Sequence, residues 1–281
     1  MTKLSAPEAL EKRQQLLRDG YCVIPGILQG ELLERVRHFS DEFLDTHAVD
    51  PRYRYQGSDF HIQSEQSWAV RKDENRYHHP LVDELLSLPA ALEAGKALGL
   101  EGLTPGGSII ILSKPAGGPA LYWHQDNMDW NHPKSALPWP TKVFLSYYMV
   151  DTTRANGCLR AIPGTHLKRI ELHDLLPAAH GAEIQASDES HPAFQVHPDE
   201  VDLAVKAGDL VIADARVLHA AWPNHSNQRR TLVLAWWDVF PFPTVPSWWE
   251  GELPAELHTD PAAIYERTRT PGQYLRGGKR A

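Results

Sequence analysis

Cysteine is nearly missing from this chain: Cys22 and Cys158 are the only two in 281 residues. They stand far apart, so there is no disulfide framework, and a reducing compartment is expected. Long hydrophobic runs are missing as well. No stretch approaches the roughly 20 apolar residues of a membrane-spanning helix, and Met1 to Glu8 holds no apolar signal segment. A cytoplasmic protein that does not enter the membrane is the expectation. Positive charge is in deficit, with 28 Lys and Arg against 36 Asp and Glu and a formal net charge of -8. General nucleic-acid binding draws its affinity from cations on phosphates and is therefore not expected. Internal repeats, low-complexity tracts and an interdomain linker are all lacking. The whole of 1–281 reads as a single domain, long enough for a sizeable core.

What the chain does have is histidine, tryptophan and proline, at 15, 9 and 22 residues. Abundant histidine favours a metal site, and it also multiplies accidental motifs. Helical periodicity marks Glu8 to Leu17, stopped by Asp19-Gly20, then Leu28 to Leu44, and again Pro80 to Leu98. Tyr21 to Ile24 is a short strand-like run, and the polar, aromatic stretch from Asp50 to Ser67 reads as a loop. From Gly106 the character changes. Ser108 to Leu112, Val143 to Val150, Asp209 to Ala213 and Thr231 to Val239 are apolar runs of strand length between Gly, Pro and Asn clusters. The expected layout is a helical part over about 1–105, a β-sandwich or barrel over about 106–240, and a tail over 241–281.

Metal chemistry is written most clearly at Trp123-His124-Gln125-Asp126. Side chains alternate along a strand, so His124 and Asp126 point to one side. One imidazole and one carboxylate, joined by a histidine from another strand, make a facial triad that leaves three octahedral positions open, as iron(II) oxygenases require. His-x-Asp occurs three times, however, at 124/126, 197/199 and 258/260. No histidine follows Asp260, and Pro198 disfavours a paired interior strand for the second pair. His219 also follows Asp199 too closely for strands to intervene. The first pair leaves ample chain before His219, which lies at the end of the buried run from Gly208. His225 is the competing third ligand, but it sits in an Asn-His-Ser-Asn turn.

Arg229-Arg230 opens the strand that begins at Thr231. Such a pair is usually a solvated edge. A little beyond a metal histidine, one of them can anchor a dicarboxylate, because the guanidinium fork matches a carboxylate and keeps its charge. Strand parity does not choose between them until the inward face is known.

Taken in order, Asp19-Gly20-Tyr21-Cys22-Val23-Ile24-Pro25-Gly26, Tyr122 to Asp126, Asn156-Gly157-Cys158-Leu159 with Pro163-Gly164-Thr165-His166, Gly208-Asp209, His219, Asn224 with Ser226, and Arg230 resemble the phytanoyl-CoA dioxygenase family, in its branch with the ectoine hydroxylases. The likeness spans roughly residues 10 to 240. It implies a mainly β fold with α elements, a double-stranded β-helix (jelly-roll, cupin-like) core with N-terminal supporting helices. It implies that His124, Asp126 and His219 bind Fe(II). It further implies that Arg230, favoured by family spacing over Arg229, holds the distal carboxylate of 2-oxoglutarate, with O₂ as oxidant. Asn156-Gly157 and Pro163 to His166 are expected to serve backbone geometry and packing.

Departures from the family pattern matter too. Ala221 stands where many relatives have Ser or Thr, and Ile111-Leu112-Ser113 precede the Lys-Pro where ectoine hydroxylases carry Asn. Ser113 and Lys114 are the remaining candidates for contacts to the cosubstrate's near carboxylate. The family chemistry oxidises an unactivated C–H bond of a small organic substrate and releases succinate and CO₂. The carboxylate of Asp126 disfavours halogenation, which needs that ligand position vacated. Two other classes stay in play: a zinc hydrolase using the same triad, and a non-catalytic jelly-roll binding protein. Met128 to Pro140 reads as an active-site flap or, equally, a surface connection. Arg160 and Arg216 are candidates to meet an anionic substrate or to form structural ion pairs.

Overall fold

The computed structural model describes residues 4–47, 55, 58–70, 77–260 and 262–272. Its first helix, α1 (Ala6–Asp19), is fixed at both ends by local sequence. The Ser5 hydroxyl takes the Glu8 N–H at 3.4 Å, and the Glu8 carboxylate takes the Ser5 N–H at 2.8 Å. Gly20 stops the helix at φ 86, a left-handed conformation that glycine adopts without steric cost. β1 (Tyr21–Ile24) and α2 (Gly30–Thr46) follow as the periodicity predicts, with Val36, Ser40 and Phe43 of α2 buried.

Part of the expected 50–67 loop is strand instead: β2 (Ser58–Gln63) pairs antiparallel along its whole length. Only Phe60 and Ile62 carry its apolar alternation, too short a signal to separate from a loop. Of the rest of that stretch, 50–54, 56 and 57 lie outside the described residues. After α3 (Glu65–Val70) and β3 (Tyr77–His78), the single helix expected from Pro80 to Leu98 is two, α4 (Leu81–Leu86) and α5 (Pro89–Ala97). Pro89 has no N–H to continue a ladder but suits the first turn of a new helix.

The remaining elements are β4 (Thr104–Pro105), β5 (Ser108–Lys114), β6 (Leu121–His124), β7 (Lys142–Tyr148), β8 (Leu159–Ala161), α6 (Leu172–Leu175), α7 (Ala182–Ala186), β9 (Val201–Leu203), β10 (Leu210–Asp214), β11 (His219–Ala221) and β12 (Arg230–Asp238). They form two sheets. The larger runs β1-β10-β7-β12-β5-β2-β3, with β4 also on β12; the smaller runs β6-β11-β8-β9. The N-terminal part is thus more than helical, since it contributes β1 to β4 to the large sheet.

Strand parity separates two apolar layers. Ile109, Ile111, Val143, Leu145, Tyr147, Val233, Ala235 and Trp237 pack with helical Leu16, Val36, Phe43 and Leu85. The intervening residues Phe144, Tyr148, Leu232 and Leu234 meet Ala161 and Leu203 of the smaller sheet. Each fully buried aliphatic side chain here adds about 1.5–3 kcal/mol. Two facing sheets backed by helices on one side make the expected jelly roll, and its inner layer leads to the site.

Candidate active site

His124 closes β6 and His219 opens β11, and the two are register partners across the smaller sheet, with ring centroids 4.2 Å apart. Asp126 lies just past the end of β6. Its Oδ1 is 3.6 Å from His124 Nε2, and its Oδ2 is 4.0 Å from His219 Nε2. One donor atom from each of the three residues lies within 4.8 Å of the others, close enough to share one ion. The ring nitrogens facing away are already engaged: His124 Nδ1 lies 3.0 Å from the Tyr122 carbonyl and His219 Nδ1 3.1 Å from the Val217 carbonyl. Each carbonyl accepts from Nδ1–H, which leaves both Nε2 lone pairs turned to the centre.

Electrostatics favour the ligating protonation states. Burial, reinforced by His219 and His180, pushes His124 well below the ordinary imidazole range. Burial pushes Asp126 up, but the neighbouring His180, His219 and His124 outweigh it and hold the carboxyl below its usual range. A neutral imidazole beside an ionised carboxylate is what metal binding demands.

A buried basic pair lies on the same inner face of the large sheet as Trp236. Arg230, at the start of β12, sits directly across from Lys114, at the end of β5. They are 6% and 2% exposed. Lys114 Nζ donates to the Pro119 carbonyl, and Arg230 Nε has no partner. Neither forms an ion pair with a carboxylate among the described residues. Burial lowers the pKa of both, and Arg230 lowers Lys114 further. Removing a charge from water without a partner costs several kcal/mol, so the Arg230 guanidinium favours a bound anion here, and an anion would draw the neighbouring Lys114 back towards its charged form. Gly157, at φ 86, packs against this pair: a Cβ there would come within 2.8 Å of Lys114 Cδ and 2.7 Å of the Trp222 carbonyl.

Other sequence candidates fall elsewhere. Ser113 is one residue from Lys114 but on the helix-facing side of β5, where its hydroxyl lies 3.1 Å from Thr231 Oγ1. Strand alternation therefore turns it away from Arg230, and it is withdrawn as a cosubstrate contact. Arg229 pairs with Asp41 and Asp45. His225 is exposed. Arg216 is saturated by Asp214 and by the carbonyls of Ser135, Leu137 and Trp139. Arg160 is wholly buried, faces the rings of Trp123 and Trp222, and pairs with Glu200 at 3.1 Å. Both arginines are structural. The 128–140 segment is pinned by Arg216, buries Trp130, Leu137 and Trp139, and is strapped by the tail through the Thr268 N–H on the Met128 carbonyl. His166 is buried, with Nε2 3.1 Å from the Leu17 carbonyl, in the packing role expected of it.

Two residues at the site were not anticipated. Trp236 donates its indole N–H to Asp126 Oδ2 at 3.1 Å. Its signal was available: 230, 232, 234 and 236 share one face of β12, so an inward Arg230 implies an inward Trp236. His180 stands with Nε2 3.8 Å from Asp126 Oδ1 and Nδ1 2.8 Å from the Tyr122 hydroxyl. It lies in an irregular loop at φ 60, with no local motif to announce it.

Comparison with known proteins shows the family. Residues 16–232 match the family model Phytanoyl-CoA dioxygenase (PhyH), and the chain belongs to that family. It is an iron(II)- and 2-oxoglutarate-dependent dioxygenase, with O₂ as oxidant. A probable alpha-ketoglutarate-dependent hypophosphite dioxygenase of Stutzerimonas stutzeri is 23% identical over 230 residues, 80% of this chain and 76% of that protein. The ectoine dioxygenase of Stutzerimonas stutzeri strain A1501 is 26% identical over 240 residues, 81% of this chain and 76% of that protein. The fold matches that of the alpha-ketoglutarate-dependent carbocyclase SnoK of nogalamycin biosynthesis, at TM-score 0.60 and 20% identity over 90% of this chain and 98% of that one. It also matches EctD from S. alaskensis with bound Fe, at TM-score 0.57 and 18% identity over 84% and 77%. Among the described residues, no helix is long and apolar enough to cross a membrane.

Proposed function

We propose that His124, Asp126 and His219 hold the iron, that Arg230 and Lys114 together take the distal carboxylate of 2-oxoglutarate, and that the enzyme hydroxylates an unactivated C–H bond of a small organic substrate. One observation carries the reading. A metal-competent triad and an uncompensated buried cation pair open onto the same layer between the sheets, which suits a ligand with a chelating end and an anionic end. Iron(II) held by these three residues would supply, with 2-oxoglutarate and O₂, the oxidising power, with succinate and CO₂ as the products of the cosubstrate.

The protein's own residues position and shield. The two imidazoles point Nε2 inward because backbone carbonyls accept hydrogen bonds from their Nδ1–H groups, and burial holds His124 well below the ordinary imidazole range. Arg230 and Lys114 supply positive charge in a site walled by Leu232, Leu234, Phe144 and Tyr148, where electrostatic attraction is stronger than in water. Asp126 fills the position a halide would need, which supports hydroxylation over halogenation. We read 1–281 as one catalytic domain working in the cytoplasm. A zinc hydrolase has no use for the Arg230–Lys114 pair.

The test is anaerobic titration of the metal-free protein with iron(II) and 2-oxoglutarate, following the weak visible charge-transfer band of the chelate. The band should grow to one equivalent and vanish in His124→Ala and Asp126→Ala. Tight zinc binding with no band under iron(II) would overturn the residue assignment.

A further inference from the structure

We propose that Trp236 is a positioning residue that makes Asp126 a one-oxygen ligand, and so keeps three metal positions open. The inference rests on the assignment of Asp126 as a ligand and extends it to which oxygen binds. A carboxylate beside a metal ion can bind through one oxygen or chelate through both. The second mode consumes a position that a bidentate cosubstrate and O₂ together require.

The two oxygens of Asp126 are in different surroundings. Oδ2 accepts the indole N–H of Trp236 at 3.1 Å and lies 4.0 Å from His219 Nε2, while Oδ1 faces His124 Nε2 at 3.6 Å and His180 Nε2 at 3.8 Å. The indole is held in place by its strand. Trp236 pairs in register with Phe144 of β7, and Phe144 in turn lies 5.1 Å, ring to ring, from His219. The same face of β12 carries Arg230 at its other end, so one strand positions both the deep cation and the carboxylate's donor. Indole has a single donor and no acceptor, so it engages a carboxylate oxygen without competing for the metal. With Oδ2 engaged, Oδ1 is the oxygen offered to the ion.

Trp236→Phe keeps the ring in the inner layer and removes the donor. Its iron(II) dissociation constant should rise by about 10- to 100-fold, the usual effect of losing a partner that orients a ligand. At saturating iron(II), its charge-transfer band with 2-oxoglutarate should also shift and saturate at higher cosubstrate concentration, because the freed carboxylate competes for a chelating position. Binding within twofold of the parent with an unmoved band overturns the proposal. Retention of iron(II) by Asp126→Ala would instead sink the ligand assignment beneath it, so the two failures are distinct.

The parent protein provides a second measurement, should the Phe variant fail to fold. In [15N]tryptophan-labelled protein, the indole N–H resonance that Asp126→Ala displaces should keep its position when zinc(II) is added to the parent. If zinc(II) moves it to the position seen in Asp126→Ala, the indole–carboxylate bond breaks on ligation and the proposal fails.

Discussion

The two ends of the inner layer are built on opposite principles. At the metal end, each proposed ligand has a partner facing away from the centre: the Tyr122 carbonyl for His124, the Val217 carbonyl for His219, and the Trp236 indole for Asp126. At the other end, Arg230 and Lys114 face each other, with Arg230 Nε unbonded and burial lowering both pKa values. The first end is organised before anything binds. The second is an electrostatic demand that a dianion relieves. Cosubstrate binding should therefore stabilise the fold as well as prepare the reaction, and substitutions at the two ends should differ in sign as well as in size.

The largest effect belongs to the metal end. His124→Ala should lower 2-oxoglutarate-dependent succinate formation by at least about a thousandfold, roughly 4 kcal/mol of transition-state stabilisation. Retained succinate formation would mean that the cation end suffices and that the comparison is wrong. Next comes Arg230→Met. It should weaken 2-oxoglutarate binding by about 2–5 kcal/mol, or roughly 30- to several thousandfold. The same change should make the ligand-free protein more stable, by about 1–3 kcal/mol in denaturant melts, because a buried charge without a partner is removed. A loss of both affinity and ligand-free stability would show that Arg230 is already compensated.

How much of this was legible in the sequence differs between the ends for physical reasons. His124 and Asp126 were readable because a two-residue strand period puts them on one side, and β5, β7, β10 and β12 because their apolar runs are long. β8, β9 and β11 are three residues each, too short for alternation to register. Family spacing favoured Arg230 over Arg229, but strand parity could separate them only once the inward face of β12 was known, and the same knowledge assigns Trp236 and removes Ser113. His180 was not legible at all. Its place depends on a left-handed turn and on the Tyr122 hydroxyl, reached across a long span of chain.

Acid should weaken the support of the metal end. His173 lies 3.2 Å from Gln125 Nε2, and Gln125, between His124 and Asp126, also donates to the Arg216 carbonyl. Burial is the main force that lowers His173 from 6.5 to about 4. The unfolded chain therefore takes up this proton first as pH falls. The stability carried by neutral His173 is fully present above pH 6.5 and is lost as pH falls from 6.5 towards 4, about 3 kcal/mol in all. Melts of the metal-free protein should show this decline, and His173→Gln should flatten it. A decline unchanged in His173→Gln would place the acid-sensitive group elsewhere.

The smallest effect tests the boundary between the layers. Ser113 and Lys114 are adjacent in sequence, yet alternation sends one to the helices and the other to the cation pocket. Ser113→Ala removes a buried hydroxyl whose partner, Thr231 Oγ1, lies 3.1 Å away on the neighbouring strand. Loss of that bond should cost about 1 kcal/mol of stability. 2-Oxoglutarate affinity should stay within about twofold, since 1.4 kcal/mol is needed for a tenfold change and no contact to the pocket is lost. Lys114→Met, one position further on, should weaken that affinity and leave the Ser113–Thr231 contact intact. If Ser113→Ala instead loosened 2-oxoglutarate as much as Lys114→Met, the inner face of β5 would be misassigned, and with it the inward direction of Arg230 and Trp236 on β12.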